Sequence, residues 1–594
     1  MPHQVTDTGL DETSCFFIDN DGEETPHGHY FEELAYPFSS STGEGGYFYD
    51  VSTGGFQGDS VEGHGTHTAG SALGATLNTP AETTTCSETT KDPGCVGGCI
   101  DADRSSWGDD LVSLPAYSPY GYGADVDRIC PMLGCDDETA QWCVSDDVGE
   151  TLAENGGMAR GAKLAFVDVF DVDDTALVDY AGNGLWEPCL EAGCKVHSNS
   201  WGGAPECFVT SLDIVYDDFM YKHPENLLLF AAGNDGDIVD GRACTISSPG
   251  IGKNTLTVGA TSSGETRLTS TSADGGEADG TNGYADVDTL AFFSSYGPTR
   301  DSRIKPEILA PGDAIYSASS DGEDTHSCRL AAFGGTSMST PIAAGASAMV
   351  RQYFMEETFY LADVTARGWC NDGGRECEAF SASSATVKAL LINSANLMGG
   401  SPEPEYHRGF GRIHLEMGMP LGGEGSLALF VADRASLPEL SSQDFSFDVD
   451  ADAGLDFRAT LSWIDPPASS SAVIQLVHDL DLEVVSPSGT THVMWASSGE
   501  VDTSNVNERV IVAAADVESG TWTVRVSTKG LLTDSQDYSL VVNGAIVFSS
   551  SEPFYASFID SAPSAAGSMA STPMSLMSLL VGAVASTIAA ASAA

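Results

Sequence analysis

Basic residues are scarce: 25 Lys and Arg stand against 86 Asp and Glu in 594 residues, a formal charge of -61. Such a surface repels a phosphate backbone, which excludes nucleic acid as a partner. No Asn-x-Ser/Thr acceptor occurs, so N-glycosylation is not expected. The first thirty residues hold no apolar run of the kind a signal peptide carries. No cysteines have zinc-ribbon spacing, and no histidine stands near Cys95 and Cys99 or near Cys130 and Cys135.

The 14 cysteines that are present therefore read as disulfides formed in an oxidising compartment, which places the protein outside the cell or at its surface. Cys189 with Cys194 and Cys370 with Cys377 are spaced as small staples. Six cysteines between Cys86 and Cys143 share a Gly-, Asp- and Ser-rich stretch, read as a disulfide-rich insertion over about 80–150. The surplus of carboxylates offers hard oxygen ligands, so a structural calcium ion is a candidate cofactor.

The length exceeds what one core serves, which implies two domains. Up to about residue 432, apolar runs such as KLAFVDVFD, NLLLFAAGNDG and TLTVGATS alternate with helical stretches such as TSMSTPIAAGASAMVRQYF and ATVKALLINSANL. Buried strands separated by helices predict an α/β fold, a parallel sheet flanked by helices. From 433 to 548 the period changes to two, as in FRATLSWID and GTWTVRVST, with no helical stretch between. That pattern predicts a separate C-terminal antiparallel β-sandwich. On its HDLDLE strand, Asp479 and Asp481 share one face, read either as solvated or as part of the calcium site. Residues 549–573 read as a Ser/Ala/Pro-rich linker. The hydrophobic tail, 574–594, is long enough to span a bilayer and is followed by no charge, so it is a candidate lipid-anchor signal or transmembrane helix.

Three short motifs carry chemistry. Asp7-Thr8-Gly9 by itself is an ordinary turn; GHGTHTAG puts His64 at the start of a small-residue helix, and FGGTSMSTP puts Ser337 at another. Together they supply a hydroxyl to attack, an imidazole to take its proton and a carboxylate to orient the imidazole. In order along the chain, Asp-Thr-Gly, His-Gly-Thr-His, Ala-Ala-Gly-Asn and Gly-Thr-Ser-Met resemble the motifs of the subtilisin-like serine proteases. HSNSWGG, FSSYGPTRDSRIKPEILAPG and GFGRIHL extend the likeness over nearly all of residues 3–420. With LVHDLDLEVVSPSGT in the second domain, the chain is similar to the alkaline, oxidatively stable subgroup that carries a jelly-roll domain.

The resemblance implies a subtilisin-like catalytic domain over 1–432 and a serine endopeptidase acting on proteins or peptides, with no cofactor for catalysis. It makes Ser337 the nucleophile, His64 the general base and then acid, and Asp7 the orienting carboxylate, with His67 structural. Asn234 becomes the oxyanion donor. Ser200, Trp201, Gly202 and Gly203 form one substrate-binding wall and Ala232 and Gly233 the other; for Trp201 a core position is the competing reading. It also implies that a signal, a propeptide and residues ahead of the Asp strand are missing from this sequence. Met338, next to the nucleophile, is expected to make the enzyme sensitive to peroxide. The rival function is a catalytically silent cell-surface adhesion or binding protein on the same fold; a metal hydrolase using His64 and His67 lacks a third ligand.

Overall fold

A computed structural model of the chain describes residues 2–7, 47–50, 63–73, 99–101, 141–143, 157–159, 162–168, 185–186, 189–190, 193–205, 207–237, 243–264, 286–320, 330–356, 359–360, 379–421 and 427–547. These lie in one compact unit, Met1–Ser557. Linker and tail, expected at 549–573 and 574–594, lie outside the described residues, as do Cys370 and Cys377 and most of the insertion about 80–150.

The first sheet contains β1 (Pro2–Asp7) and β2 (Tyr47–Asp50). A short antiparallel pair, β3 (Cys99–Asp101) and β4 (Gln141–Cys143), stands apart from it. The sheet continues with β5 (Lys163–Asp168), β6 (Val196–Asn199), β7 (Leu227–Ala231), β8 (Leu256–Ser262) and β9 (Ile308–Asp313), and its seven strands run in the order β2-β5-β1-β6-β7-β8-β9, all pairings parallel. β7 and β8 are buried at every position, as expected of strands covered on both faces, which is why they read as unbroken apolar runs rather than alternating ones. The helices are α1 (His64–Leu73), α2 (Ser211–Lys222), α3 (Thr336–Met355) and α4 (Ser384–Ser394). Next to them lies the antiparallel pair β10 (Ile315–Ala318) and β11 (Leu330–Phe333).

Small residues let α1 and α3 approach closely. A Cβ on Gly345 of α3 would lie 2.6 Å from the Ala72 carbonyl oxygen of α1 and 2.6 Å from Met158 Cβ, so only hydrogen fits there. This contact brings the two helices that begin at His64 and near Ser337 side by side.

From residue 428 onward two antiparallel sheets follow. Their strands are β12 (Ala428–Pro438), β13 (Ser442–Val449), β14 (Phe457–Trp463), β15 (Asp479–Val485), β16 (Thr491–His492), β17 (Asn507–Val512), β18 (Gly520–Gly530), β19 (Ser535–Gly544) and β20 (Ile546–Val547). One sheet has the order β12-β19-β14-β17 and the other β16-β15-β18-β13-β20. Phe430, Leu461, Trp463 and Tyr538 from the first meet Leu480, Trp522 and Val524 from the second in one core.

α4 is buried along its entire length because the sandwich covers it. At its N-terminus, Asp433 Oδ1 accepts the Ser383 N–H at 3.0 Å and the Thr386 hydroxyl. At its C-terminus, Arg458 donates to the carbonyls of Asn393 and Ala395 at 3.1 and 3.2 Å, and Arg509 to those of Ile392 and Phe410 at 3.0 and 2.7 Å. An acid at the positive end and cations at the negative end match the helix dipole and satisfy end groups with no intrahelical partner.

Candidate active site

Asp7 ends β1 at the carboxyl edge of the sheet and is 2% exposed. Its Oδ1 lies 2.6 Å from His64 Nδ1, and its Oδ2 accepts the Thr68 hydroxyl at 3.1 Å. Thr68 follows His64 by four residues, one helical turn, so both reach the same carboxylate from one face of α1. A carboxylate only accepts, so Nδ1 carries the proton and Nε2 keeps the lone pair a general base needs.

Ser337 is the second residue of α3. Pro341, four residues further, has no N–H to offer the Ser337 carbonyl, and the Ser200 hydroxyl takes that place at 2.8 Å. In return Ser337 Oγ donates to the Ser200 carbonyl at 3.2 Å. Ser337 is thereby tied to the segment expected to hold substrate. Neither Ser200 in this role nor Thr68 stood out from sequence; the proline four residues after Ser337 was the available signal.

Asn234 is held through its carbonyl. Oδ1 accepts the Thr336 N–H at 2.8 Å and the Thr336 hydroxyl at 3.0 Å, while the Gly233 N–H donates to that hydroxyl at 3.1 Å. Thr336 precedes Ser337, and with Oδ1 occupied the Nδ2 amide is the group left to donate. A Cβ built on Gly335 would lie 3.3 Å from Nδ2 and 3.7 Å from the Ser337 nitrogen, so both nitrogens flank the same point.

Gly202 and Gly203 are exposed, and Ser247 lies behind both walls: its Oγ would be 2.8 Å from a Cβ on Gly202 and 3.1 Å from one on Gly233, whose φ is +106°. Ala232 itself is fully buried. Trp201 takes the core position of its two readings: its ring packs edge-on against Phe230 at 5.5 Å and Tyr216 at 6.4 Å. Met338 is 1% exposed, so adjacency to Ser337 overstated its access to peroxide; one step along a helix turns the side chain inward.

His67 is buried, stacks on Phe333 at 4.5 Å, and donates from Nε2 to the carbonyls of Ile315 and Ala331 at 3.0 and 3.1 Å. Burial pushes its pKa down to about 4 from an ordinary 6.5, so it is neutral and structural. The unfolded chain binds the proton first, so this contribution to stability is complete above pH 6.5 and is lost as pH falls toward 4. The loss is about 3 kcal/mol. Melting curves across that range are expected to show His67→Gln with a shallower acid limb, by about one proton.

Asp479 and Asp481 do not lie on a solvated face. Asp481 is 2% exposed and pairs with Lys529 at 2.8 Å; Asp479 is pushed up to about 6, by burial first and by the Asp481 charge second. The N–H of Leu482, the residue after Asp481, goes to Glu508 of β17 at 2.7 Å. Among the described residues no group of three or more His, Cys, Asp or Glu is arranged to hold a metal ion, and no helix is long and apolar enough to cross a membrane. Disulfides join Cys189 to Cys194, as spaced, and Cys207 to Cys244, a pair 37 residues apart that spacing did not single out.

The parallel sheet and the groups at its edge are those expected of a serine-type peptidase. Residues 133–411 match the model of the subtilase family. The match takes in Asn234 and Ser337, with Asp7 and His64 ahead of it. Among curated proteins, the chain is similar to the serine protease/ABC transporter B family proteins tagA and tagD of Dictyostelium discoideum. Identity to tagA is 24% over 490 residues, covering 67% of this chain and 27% of tagA; for tagD it is 25% over 466 residues, covering 60% and 24%. Serine protease AprX of Bacillus subtilis is 36% identical over 130 residues, 20% of this chain and 25% of that one. The chain thus spans about a quarter of the length of these relatives.

Proposed function

We propose that the chain is a secreted or cell-surface endopeptidase in which Ser337, His64 and Asp7 form the triad and Asn234 the oxyanion donor. The observation that carries the reading is the 2.6 Å contact between Asp7 and His64, made by groups 57 residues apart, at the edge of the sheet where α1 and α3 meet. In the reaction Ser337 Oγ attacks the peptide carbonyl and its proton passes to His64 Nε2. The oxyanion is stabilised by Asn234 Nδ2 and the Ser337 N–H. His64 then protonates the leaving amine, and an acyl-enzyme remains. Water, deprotonated by the same imidazole, hydrolyses it. Substrate lies as an added strand between Ser200–Gly203 and Ala232–Gly233. Two disulfides support an oxidising compartment, and the apolar stretch 574–594 supports membrane attachment. The pairing of catalytic layer and β-sandwich supports membership of the alkaline, jelly-roll-bearing subgroup.

A fluorophosphonate probe tests the reading. Wild type is expected to be labelled covalently and Ser337→Ala not at all. Folded wild type that takes no label would favour the silent binding protein instead.

A further inference from the structure

The loop from Cys244 to Thr255 touches both walls of the proposed substrate cleft. The Ser247 N–H donates to the Ala232 carbonyl at 3.3 Å, and the Gly203 N–H to the Ser248 carbonyl at 2.8 Å. Its near end is fastened by the Cys207–Cys244 disulfide. α2 holds one side: the Ser248 hydroxyl donates to Asp213 Oδ2 at 2.8 Å, and Asp217 accepts the N–H groups of Lys253 and Asn254 at 3.2 and 2.8 Å.

The other side is held by the sandwich. Lys253 is fully buried, and its ammonium donates to Asp465 Oδ2 at 2.5 Å, the Pro466 carbonyl at 2.6 Å and the Gln475 carbonyl at 2.6 Å. An ammonium has three N–H groups, and all three are met by the connection between β14 and β15. Asn254 adds a two-bond clasp on the Asp465 main chain: Asn254 Nδ2 donates to the Asp465 carbonyl at 2.8 Å, and the Asp465 N–H donates to Asn254 Oδ1 at 2.9 Å. A buried ion pair gives little net stability over apolar residues of the same size, and its best-attested use is fixing one geometry. Five residues separate Lys253 from Ser247, behind both walls.

We propose that Lys253 and Asp465 are a positioning pair through which the β-sandwich sets the spacing of the substrate cleft. The proposal rests on the peptidase reading of that cleft. It makes the sandwich part of peptide recognition, whereas the triad is held mainly by β1, α1 and α3 and meets the cleft wall at Ser200, away from the Gly203 end that the loop holds.

The test compares a hexapeptide anilide, which needs both walls, with fluorophosphonate labelling, which needs the triad and the oxyanion donors but no extended substrate strand. In the full chain, Asp465→Asn is expected to raise KM for the hexapeptide about tenfold, with kcat and the labelling rate within about twofold of wild type. Because that variant leaves a buried ammonium without its counter-charge, Lys253→Met with Asp465→Asn is made beside it; with the ion pair gone and an acceptor kept for the N–H groups of Val477 and His478, it is expected to fold and show the same selective loss. Folded variants with wild-type KM would overturn the proposal. So would failure of both to fold, which would assign the pair to stability. Unlabelled wild type would instead sink the peptidase reading.

Discussion

Asp7→Asn is expected to lower kcat about 10⁴-fold with KM nearly unchanged, the order of loss typical of a triad that loses its carboxylate. The present carboxylate accepts on both oxygens, from His64 Nδ1 and from the Thr68 hydroxyl. An asparagine of the same shape fits the 2% exposed site but brings an NH₂ group. Thr68 Oγ, which also reaches the Gly65 carbonyl at 3.0 Å, accepts or donates with equal ease and does not fix which way the amide faces. When NH₂ faces the imidazole, Nδ1 must accept and the proton moves to Nε2, where Ser337 needs a base. Even in the other orientation, a neutral amide stabilises the imidazolium of the transition state less than a carboxylate does. Active-site-titrated hydrolysis of a peptide anilide reads the effect; a loss below tenfold would remove Asp7 from the mechanism. Thermal stability should move little, because the hydrogen bonds are replaced rather than lost.

The parallel sheet was legible because its strands are short apolar runs between glycine-rich turns, and β5 to β8 lie where those runs are. Sequence periodicity carries no information about contacts between distant strands. Asp433, Arg458 and Arg509 look like ordinary charges on alternating strands, yet they bracket α4. That helix is buried on every face, so it has no apolar stripe from which its neighbours could be read. The same limit explains Asp479 and Asp481: period two placed both on one face but could not reveal that Lys529 pairs with Asp481 there. For the site, motif order singled out the candidate reacting groups. It did not locate the residues that hold them, since Thr68, Thr336 and Ser200 are commonplace hydroxyls whose roles arise from geometry. Trp201 shows the converse, a conspicuous residue in a motif whose ring serves the core.

Asn234→Ala is expected to cost about 10²–10³ in kcat, the loss measured for the matching donor in a subtilisin. The geometry here argues for the upper part of that range. Asn234 Oδ1 is engaged by both the N–H and the hydroxyl of Thr336, so the side-chain amide is fixed before substrate arrives and no reorganisation is needed as charge develops. Alanine removes the donor and leaves those two Thr336 groups without their acceptor. The residue itself is exposed, so water replaces the lost contacts to Thr336 at small cost to stability, but water is not held in place to stabilise an oxyanion. The effect should therefore appear in kcat and not in KM, because the tetrahedral intermediate carries the charge and the ground-state carbonyl does not. Thr336→Val supplies the matching control: it removes one of the two bonds that fix Asn234, and the acceptor of the Gly233 N–H, yet keeps the donor, and an intermediate loss in kcat is expected. A raised KM with kcat unchanged in Asn234→Ala would show that the side chain binds substrate and transition state equally, and would remove it from the oxyanion site.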